Sequence, residues 1–283
     1  MTPERRRRAV CALTERFGVS ERRACRVIDQ PRTTQRRRPR PPTTEEAKLC
    51  RRLRQIAHAH PRWGYKTAHQ LLLREGWAIN KKRTQRLWRR EGLRRPQHCR
   101  KRRRVRPDTA ERLRAMHPNH VWAIDFQFDE TADYRRLKLA NVVDEFTRES
   151  LAMEVARSIT ADHLVDVLER LVALHGAPAH LRMDNGPELI SWALRDWCRL
   201  SHTGTIYIEP GSPWENPFVE SFNSRSRDEL LNTEEFGTLH EARVIVEAWR
   251  IEYNTYRPHS SLGGLTPVEF KRQWIEQYQP ACS

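Results

Sequence analysis

Three carboxylates in the second half of the sequence lie where an ionised side chain needs a partner. Asp125 lies within the apolar string VWAIDFQF, and Asp184 ends the apolar string AHLRMD. Glu220 follows Pro217, a residue type that commonly occupies the first turn of a helix. Carboxylates rarely leave water unless they are paired or bound to a metal, and no cation adjoins Asp125 in the sequence. Because carboxylate oxygens are hard ligands, the three side chains predict a site for Mg²⁺ or Mn²⁺.

The elements that must position these side chains are predicted from the periodicity of apolar residues. Strands are predicted at 121–128, 137–144, 149–156, 179–184 and 205–209, with helices at 161–172, 190–200, 218–231 and 242–253. Three meandering strands followed by strands with helical crossovers give an α/β mixed sheet covered by helices, which is the layout of an RNase H-like domain. Asp184 then lies at the carboxyl end of a strand, the edge where α/β sheets place their sites, and Glu220 faces the sheet from a helix.

The net charge of +16 is divided unevenly along the chain. Residues 1–110 contain 34 Lys and Arg against 9 Asp and Glu, whereas residues 111–283 contain 18 against 27. A basic half of this density can displace the counterions of a polyphosphate, so it predicts salt-sensitive binding of nucleic acid. A solvated face or a disordered tail is the alternative, but most of the basic residues alternate with apolar positions at helical spacing.

One basic helix offers the most specific surface for nucleic acid. Asn80 is predicted to cap it, and Thr84, Leu87 and Trp88 share one of its sides. The opposite side carries the cations Lys82, Arg86, Arg89 and Arg90. A recognition helix of a helix-turn-helix protein packs one face on its partner helices and offers the other to a DNA groove. A basic helix that is merely solvated is the alternative.

The texture of the sequence predicts six segments. They are a helix-turn-helix-like segment at 1–30, a basic linker at 31–43, a helix-turn-helix DNA-binding domain at 44–94, a second basic linker at 95–112, an RNase H-like core at 113–275 and a tail at 276–283. The first linker mixes four prolines with arginines, a composition that predicts no helix there.

Composition also bounds the compartment. No run of about 18 apolar residues predicts a membrane span, and the basic start of the chain lacks the apolar stretch of a secretory signal. The six cysteines form no CxxC pair, which argues against a disulfide framework. We therefore expect an intracellular protein. A zinc-dependent N-terminal domain built from His58, His60, His69 and Cys99 is an alternative that the missing Cys pair disfavours.

The strings around the three carboxylates resemble those of a known family. PNHVWAIDF, RMDNGPE and PGSPWENPFVESFN resemble the catalytic blocks of the OrfB transposases of the insertion-sequence-3 family, within the superfamily of DDE transposases and retroviral integrases. HPRWGYKTAHQLLLREGWAINKKRTQRLWRREGL resembles the helix-turn-helix domain of that family, and YNTYRPHSSLGGLTPVEF resembles its closing motif. The likeness covers nearly the whole chain.

By this likeness, the three carboxylates correspond to a catalytic, metal-binding triad. Arg227, seven residues past Glu220, corresponds to a basic residue that the family aims at DNA, and Asn185 and Asn216 correspond to supporting residues. The chain departs from the family pattern at Pro217, where Gly or Ala is commoner, at Ser224, where a small residue such as Gly is expected, and at Ser226, where an apolar residue such as Leu is expected.

The resemblance further implies a reaction and partners. Two Mg²⁺ or Mn²⁺ ions, held about 3.5 to 4 Å apart, would support in-line displacement at phosphorus. The implied reaction nicks double-stranded DNA at the ends of an insertion element and transfers the liberated 3′-hydroxyl strand to target DNA. The implied partners are the terminal repeats, the target DNA, further copies of the chain in synapsis, and an upstream-frame OrfA product or fusion. No membrane partner is implied, and the implied location is the cytoplasm of a bacterial-type cell, in association with the nucleoid.

Two other functions share parts of this pattern. A catalytically inactive DNA-binding regulator could have the same fold, but the intact set of three carboxylates argues against it. A nuclease acting on the RNA of RNA–DNA hybrids could share the sheet and the metals, but such an enzyme does not require the basic N-terminal half. Metal-dependent nicking of DNA that carries an element end would separate a transposase from the regulator.

Overall fold

The computed structural model describes residues 3–37, 43–94, 113–184, 186, 189, 191–207 and 216–278. The chain divides into two compact units, Met1–Arg51 and Arg52–Ser283. None of the described helices is both long enough and apolar enough to cross a bilayer.

The first unit consists of short helices with a small apolar core. It contains α1 (Pro3–Phe17), α2 (Glu21–Val27), α3 (Arg32–Arg36) and the start of α4 (Thr44–Ala59). Val10 of α1 packs with Ala24 and Cys25 of α2. Ser20 caps α2, because its hydroxyl accepts a hydrogen bond from the backbone N–H of Arg23.

Helix α3 contradicts the sequence prediction that the basic linker at 31–43 contains no helix. Pro31 precedes α3 with a φ of −57°, so the ring is compatible with the start of a helix and the missing N–H costs no helical hydrogen bond. The other prolines of the segment come after Arg36 in the sequence. The prediction was wrong because prolines exclude a helix only where they interrupt it, and none falls between residues 32 and 36.

The N-terminal part of the second unit is helical. The rest of α4 is followed by α5 (Tyr65–Arg74) and α6 (Lys81–Arg90). Leu53 of α4, Leu72 of α5, and Leu87 and Trp88 of α6 are buried, as expected for amphipathic helices. Gly76 lies just beyond α5 with a φ of +84°, a left-handed conformation that glycine adopts without strain.

The rest of the second unit is built on a five-stranded sheet. Its strands are β1 (Val121–Glu130), β2 (Arg136–Asp144), β3 (Ser150–Ala156), β4 (His180–Met183) and β5 (Gly204–Tyr207), in the order β3-β2-β1-β4-β5. The pairs β1/β2 and β2/β3 are antiparallel, whereas β4 is parallel to both β1 and β5. This mixed sheet confirms the RNase H-like fold that the sequence predicts.

Helices cover both faces of the sheet. The first layer comprises α7 (Ala161–His175) and α8 (Trp192–Leu200), and the second comprises α9 (Pro217–Ser226), a π-helical turn (Arg227–Leu231) and α10 (Leu239–Thr255). Ile124 and Val142 pack in the core of the first layer, whereas their neighbours Ala123 and Val143 pack in the core of the second. This alternation follows from the pleat of the strands and gives two cores with the sheet between them.

A final helix, α11 (Pro267–Tyr278), was not predicted from the sequence, and it includes part of the predicted tail at 276–283. Its start is a capping box. The backbone N–H of Thr266 donates to the Glu269 carboxylate at 2.9 Å, and the N–H of Glu269 donates to the Thr266 hydroxyl at 3.3 Å. Pro267 occupies the first turn. The string TPVE is therefore a helix-start signal that was available in the sequence.

Candidate active site

Asp125 lies in the middle of β1, largely removed from solvent. The backbone N–H of Phe126 donates to its Oδ1 at 2.8 Å, and Nδ2 of Asn223 on α9 donates to its Oδ2 at 2.7 Å. The pKa of Asp125 is raised to about 6, chiefly by burial and also by the charges of Asp184 and Glu220, while the two hydrogen bonds oppose the rise. Asp125 is thus an ionisable group in an environment that disfavours its negative charge.

Asp184 follows the last residue of β4 and is exposed. The parallel pairing of β1 and β4 matches Ala123 with Arg182, so two residues further along each strand Asp125 and Asp184 reach the same level of the sheet. The Oδ1 atom of Asp184 accepts a local hydrogen bond from the backbone N–H of Gly186 at 3.0 Å. The register brings the two carboxylates to one edge.

Glu220 lies in the first turn of α9 and is exposed. Pro217 begins this helix, as the sequence predicts, and Val219 and Phe222 bury the opposite side of it in the second core. Glu220 is therefore presented from a helix that packs on β1 and β2.

The three carboxylates influence one another but are not drawn around a single point. Asp184 and Glu220 both act electrostatically on Asp125. Within the part of the chain that the structure describes, no three His, Cys, Asp or Glu side chains converge closely enough to hold a metal ion. Their hard oxygen donors and the unfavourable charge of Asp125 fit a divalent cation such as Mg²⁺ or Mn²⁺.

A buried network of polar side chains on β1, β2 and α9 supports Asp125. Asn141 lies opposite Asp125 in the β1/β2 register, and its Nδ2 donates to Oδ1 of Asn223 at 2.7 Å and to Oε1 of Gln127 at 2.8 Å. Nε2 of Gln127 in turn donates to the backbone carbonyl of Asn223 at 2.9 Å. These bonds join β1, β2 and α9, so they fix Asn223, which donates to Asp125, relative to the sheet.

Ser226 belongs to this network and explains one departure from the family pattern. It is fully buried, and its hydroxyl donates to Oε1 of Gln127 at 2.6 Å. An apolar residue at this position would leave Gln127 with one partner fewer in the interior, so Ser226 and Gln127 form a matched polar pair. Ser224, the other serine that departs from the pattern, is exposed, so its polarity needs no partner in the protein.

The two predicted supporting asparagines have different outcomes. Asn216 is buried at the start of α9, where its backbone carbonyl accepts from the N–H of Glu220 at 3.2 Å. Its side chain does not cap the helix, and its Oδ1 atom has no partner among the described residues. Asn185 lies outside the described residues. The supporting role of both residues stays a prediction.

Arg227 lies at the start of the π-helical turn, beside β1. Its Nη1 donates to Oδ2 of Asp129 at 3.1 Å, and its Nη2 donates to the carbonyl of Phe128 at 2.5 Å. Its side chain is 40% exposed, so the guanidinium is held against the strand four residues past Asp125 and also faces solvent. This placement is compatible with the predicted contact to DNA.

Helix α6 has the two faces that the sequence predicts. The side chain of Asn80 caps the helix by accepting from the backbone N–H of Lys82 at 2.8 Å, and Thr84, Leu87 and Trp88 are buried. The predicted DNA-contacting cations Lys82, Arg86, Arg89 and Arg90 are all exposed. The helix therefore presents a row of positive charges to solvent.

Other buried acids of the sheet belong to the protein's own framework. Asp144, paired with Trp122 near the opposite end of β1, accepts hydrogen bonds from the backbone N–H groups of Asn119 at 2.6 Å and Thr147 at 2.8 Å. Glu145 forms a buried ion pair with Arg182 at 2.5 Å. Both acids have partners in the protein, so burial alone does not distinguish a metal ligand.

The sequence prediction missed Asn141, Gln127 and Asn223. A signal for Asn223 was present, since a residue three positions past Glu220 lies on the same side of a helix. The polar Asn141 within the apolar string RLKLANVVD was a second signal. The pairing of Asn141 with Asp125 depends on strand register, which the local sequence does not specify.

Comparison with known families defines the class of the protein. The Integrase core domain family matches residues 115–213, a second Integrase core domain family matches residues 201–267, and the HTH-like domain family matches residues 44–103. The integrase core carries the RNase H-like sheet and all three carboxylates. The class is therefore a polynucleotidyl-transferase-type enzyme with a DNA-binding helical part.

Two relatives narrow the class to a family. The chain is 39% identical to the 39.2 kDa protein of insertion element IS476 of Xanthomonas euvesicatoria, over 98% of this chain and 80% of the relative. It is also 39% identical to the 31.7 kDa protein of insertion element IS407 of Burkholderia multivorans, over 92% of this chain and 93% of the relative. The chain belongs to the insertion-sequence-3 family of transposases.

Part of the chain aligns with a solved structure. The HTLV-2 integrase catalytic core domain, determined in complex with magnesium, is 20% identical and aligns with a TM-score of 0.46. The alignment covers 56% of this chain and 99% of that domain.

Proposed function

We propose that this transposase nicks double-stranded DNA at the ends of its insertion element and joins the liberated 3′-hydroxyl strand to target DNA. Asp125, Asp184 and Glu220 are the catalytic residues, and α6 reads or holds the element end. The reaction takes place on nucleoid DNA, in a multimer that brings two ends together, and an upstream-frame OrfA product or fusion is a further partner.

The observation that carries this proposal is the electrostatic state of Asp125. Its pKa is raised to about 6 by burial and by Asp184 and Glu220, so the ionised form is unfavourable without a cation. A buried hydrogen-bond network nevertheless holds this carboxylate in place. Proteins maintain an unfavourable charge of this kind where the group has a chemical task.

The side chains of the site divide the work. The three carboxylates would hold Mg²⁺ or Mn²⁺, which when bound activates the attacking oxygen and stabilises the leaving oxygen at phosphorus. Asn223 orients Asp125 through its hydrogen bond, and Arg227 lies where a phosphate group beside β1 would meet a positive charge. No side-chain nucleophile is required. Burial raises the pKa of the Cys198 thiol to about 11, so this cysteine does not attack at neutral pH.

The test uses a labelled duplex that carries the DNA flanking this reading frame, with Mg²⁺ or Mn²⁺. We expect Asp125→Asn, Asp184→Asn and Glu220→Gln each to abolish nicking and joining, by at least about a thousandfold, while DNA binding persists. Ser224→Ala, an exposed change on the same helix as Glu220, is the control and should retain activity. Strand transfer by any of the three carboxylate variants, or no nicking by the parent protein, would contradict the proposal. Binding without nicking by the parent protein would favour the DNA-binding regulator.

A further inference from the structure

Two sequence strings have no part in the candidate active site, yet they meet in the structure. The segment 60–63, HPRW, joins α4 to α5, and the segment 255–258, TYRP, begins at the last residue of α10. We propose that these segments, with Glu229 between them, form a rigid dock that fixes the helix-turn-helix helices on the helix that carries Glu220. The dock then sets the distance and angle at which DNA held by α6 reaches the candidate metal centre. This inference rests on the proposed function.

Glu229 is the centre of the dock. Arg257 donates two hydrogen bonds to its carboxylate, at 2.7 and 2.5 Å, and Nε1 of Trp63 donates a third at 3.3 Å. The side chains of Glu229 and Arg257 are only 9% and 11% exposed, and Trp63 is 3% exposed. An ion pair buried this deeply needs all its hydrogen-bond partners in place. If the helix-turn-helix helices separated from the integrase core, Glu229 would lose its Trp63 donor and the pair would be exposed to water.

Aromatic rings extend the dock around this ion pair. The His60 and Trp63 rings stack at 3.8 Å between centroids, and the Tyr256 ring lies 6.1 Å from Trp63. Nδ1 of His60 also lies 3.2 Å from a carboxylate oxygen of Glu252 on α10. Stacked rings oppose separation more strongly than they oppose sliding. The hydrogen bonds therefore fix the orientation of the two segments, and the rings supply the buried area.

A second attachment lies at the other end of α5. Arg74 donates to Glu269 on α11 at 2.6 Å and to the backbone carbonyl of Tyr256 at 3.3 Å. Gly264 approaches α5 so closely that a Cβ atom on it would overlap the Gln70 amide. Two attachments at opposite ends of one helix prevent rotation about either of them, which a single attachment would allow.

The dock is connected to both functional surfaces. On one side, α5 is tied to α6 by a buried hydrogen bond between Nδ1 of His69 and Oγ1 of Thr84 at 3.0 Å. On the other side, Glu229 lies in the π-helical turn that continues α9 directly, nine residues after Glu220. DNA bound by α6 is therefore related to Glu220 through packed elements without an intervening flexible segment.

The first test changes the spacing of the DNA and not only the protein. Five base pairs are inserted between the DNA segment that α6 binds and the site of nicking. The insertion rotates these two sites relative to each other by about half a turn of the duplex. The measured quantity is the ratio of nicking on inserted and native substrates, which a general loss of stability does not alter. We expect the parent protein to nick the inserted substrate at least about a hundredfold more slowly. Glu229→Gln and Trp63→Phe should reduce this discrimination to less than about tenfold.

The matched control is Glu154→Gln, which breaks the ion pair between Glu154 on β3 and Arg170 on α7. This pair lies in the helix layer opposite the dock, so the variant should keep the discrimination of the parent. A parent protein indifferent to spacing, or dock variants that discriminate as strongly as the parent, would overturn the dock.

Hydrogen exchange in the absence of DNA tests the dock independently of catalysis. In Glu229→Gln, amides of residues 58–65 and 226–233 should exchange at least about tenfold faster than in Glu154→Gln. Unchanged exchange in both segments would overturn the dock even if the parent protein nicks DNA. A parent protein that nicks nothing but shows this exchange pattern would contradict the proposed function and leave the dock supported.

Discussion

The environment of Asp125 disfavours the negative charge of its carboxylate, and this has a consequence for stability. Its folded-state pKa of about 6 lies above the ordinary value of 3.8, with burial as the largest cause. The folded protein therefore binds a proton on Asp125 more tightly than the unfolded chain does. Stability contributed by this group is present at low pH and is lost as pH rises from about 3.8 to about 6.

We expect Asp125→Asn to stabilise the protein at pH 7 by about 1 to 2 kcal/mol when no divalent cation is present, because the buried charge is removed. The difference should disappear near pH 4, where the parent carboxyl is largely neutral in the folded state. Urea denaturation at the two pH values measures it. Added Mg²⁺ should stabilise the parent and not the variant, since a ligand of the folded state raises its stability. An Asn variant that is less stable than its parent at pH 7 would contradict this explanation.

The buried pair of Ser226 and Gln127 makes a second prediction at the residue scale. Ser226→Ala removes a donor to Oε1 of Gln127 in the interior, so we expect a loss of about 1 to 2 kcal/mol in the free energy of unfolding. The matched control is Ser224→Ala on the same helix, where the side chain is exposed and the change should stay within about 0.5 kcal/mol. Equal effects of the two variants would mean that the network contributes nothing specific.

At the scale of elements, α6 carries the strongest prediction about DNA. Arg86→Ala and Arg89→Ala should each weaken binding to duplex DNA and lower the slope of log affinity against log salt by about one for each phosphate group that the variant no longer binds. Fluorescence anisotropy between about 50 and 200 mM salt measures the slope. Arg170→Ala on α7, an exposed arginine of the integrase core, is the control. An unchanged slope in the α6 variants would exclude this helix as the contact surface.

Elements with regular apolar periodicity could be predicted from the sequence, whereas two helices were missed. The predicted capping of α6 by Asn80 and its buried face agree with the structure, because both signals are local. Helix α3 was missed because the prolines of its segment flank the helix and do not interrupt it. Helix α11 was missed although TPVE is a capping box.

The three carboxylates of the candidate site could be predicted from the sequence, whereas the contacts between distant residues could not. Asp125, Asp184 and Glu220 could be singled out because each lies at a recognisable point of a strand or helix and within a family-like string. The hydrogen bond from Asn223 to Asp125 joins residues 98 positions apart. Such contacts depend on how α9 packs on the sheet, and a single sequence does not specify that packing.

At the scale of the whole molecule, contacts between the helix-turn-helix part and the integrase core should make the second unit respond as one body. Arg74 and Glu269 are separated by 195 positions in the chain and meet at 2.6 Å. A double-mutant cycle with Arg74→Ala and Glu269→Ala should give a coupling of about 0.5 to 1 kcal/mol in the free energy of unfolding, because the pair is only partly exposed. The exposed pair Arg199 and Asp196 is the control and should show coupling near zero. Equal coupling in the two pairs would mean that this contact adds nothing beyond surface attraction.

The π-helical turn at Arg227–Leu231 also constrains how the gene can change. A π-helical turn accommodates one residue more than an α-helical turn, so deletion of a single codon there would restore an ordinary helix and rotate the downstream residues by about 100°. Glu229 would then point away from Trp63 and Arg257, while Asp125, Asp184 and Glu220 would be untouched. A copy of the element with such a deletion would keep an intact reading frame and all three carboxylates, yet encode a protein without the dock. Surveys that judge element copies by their three carboxylates alone would count it as active.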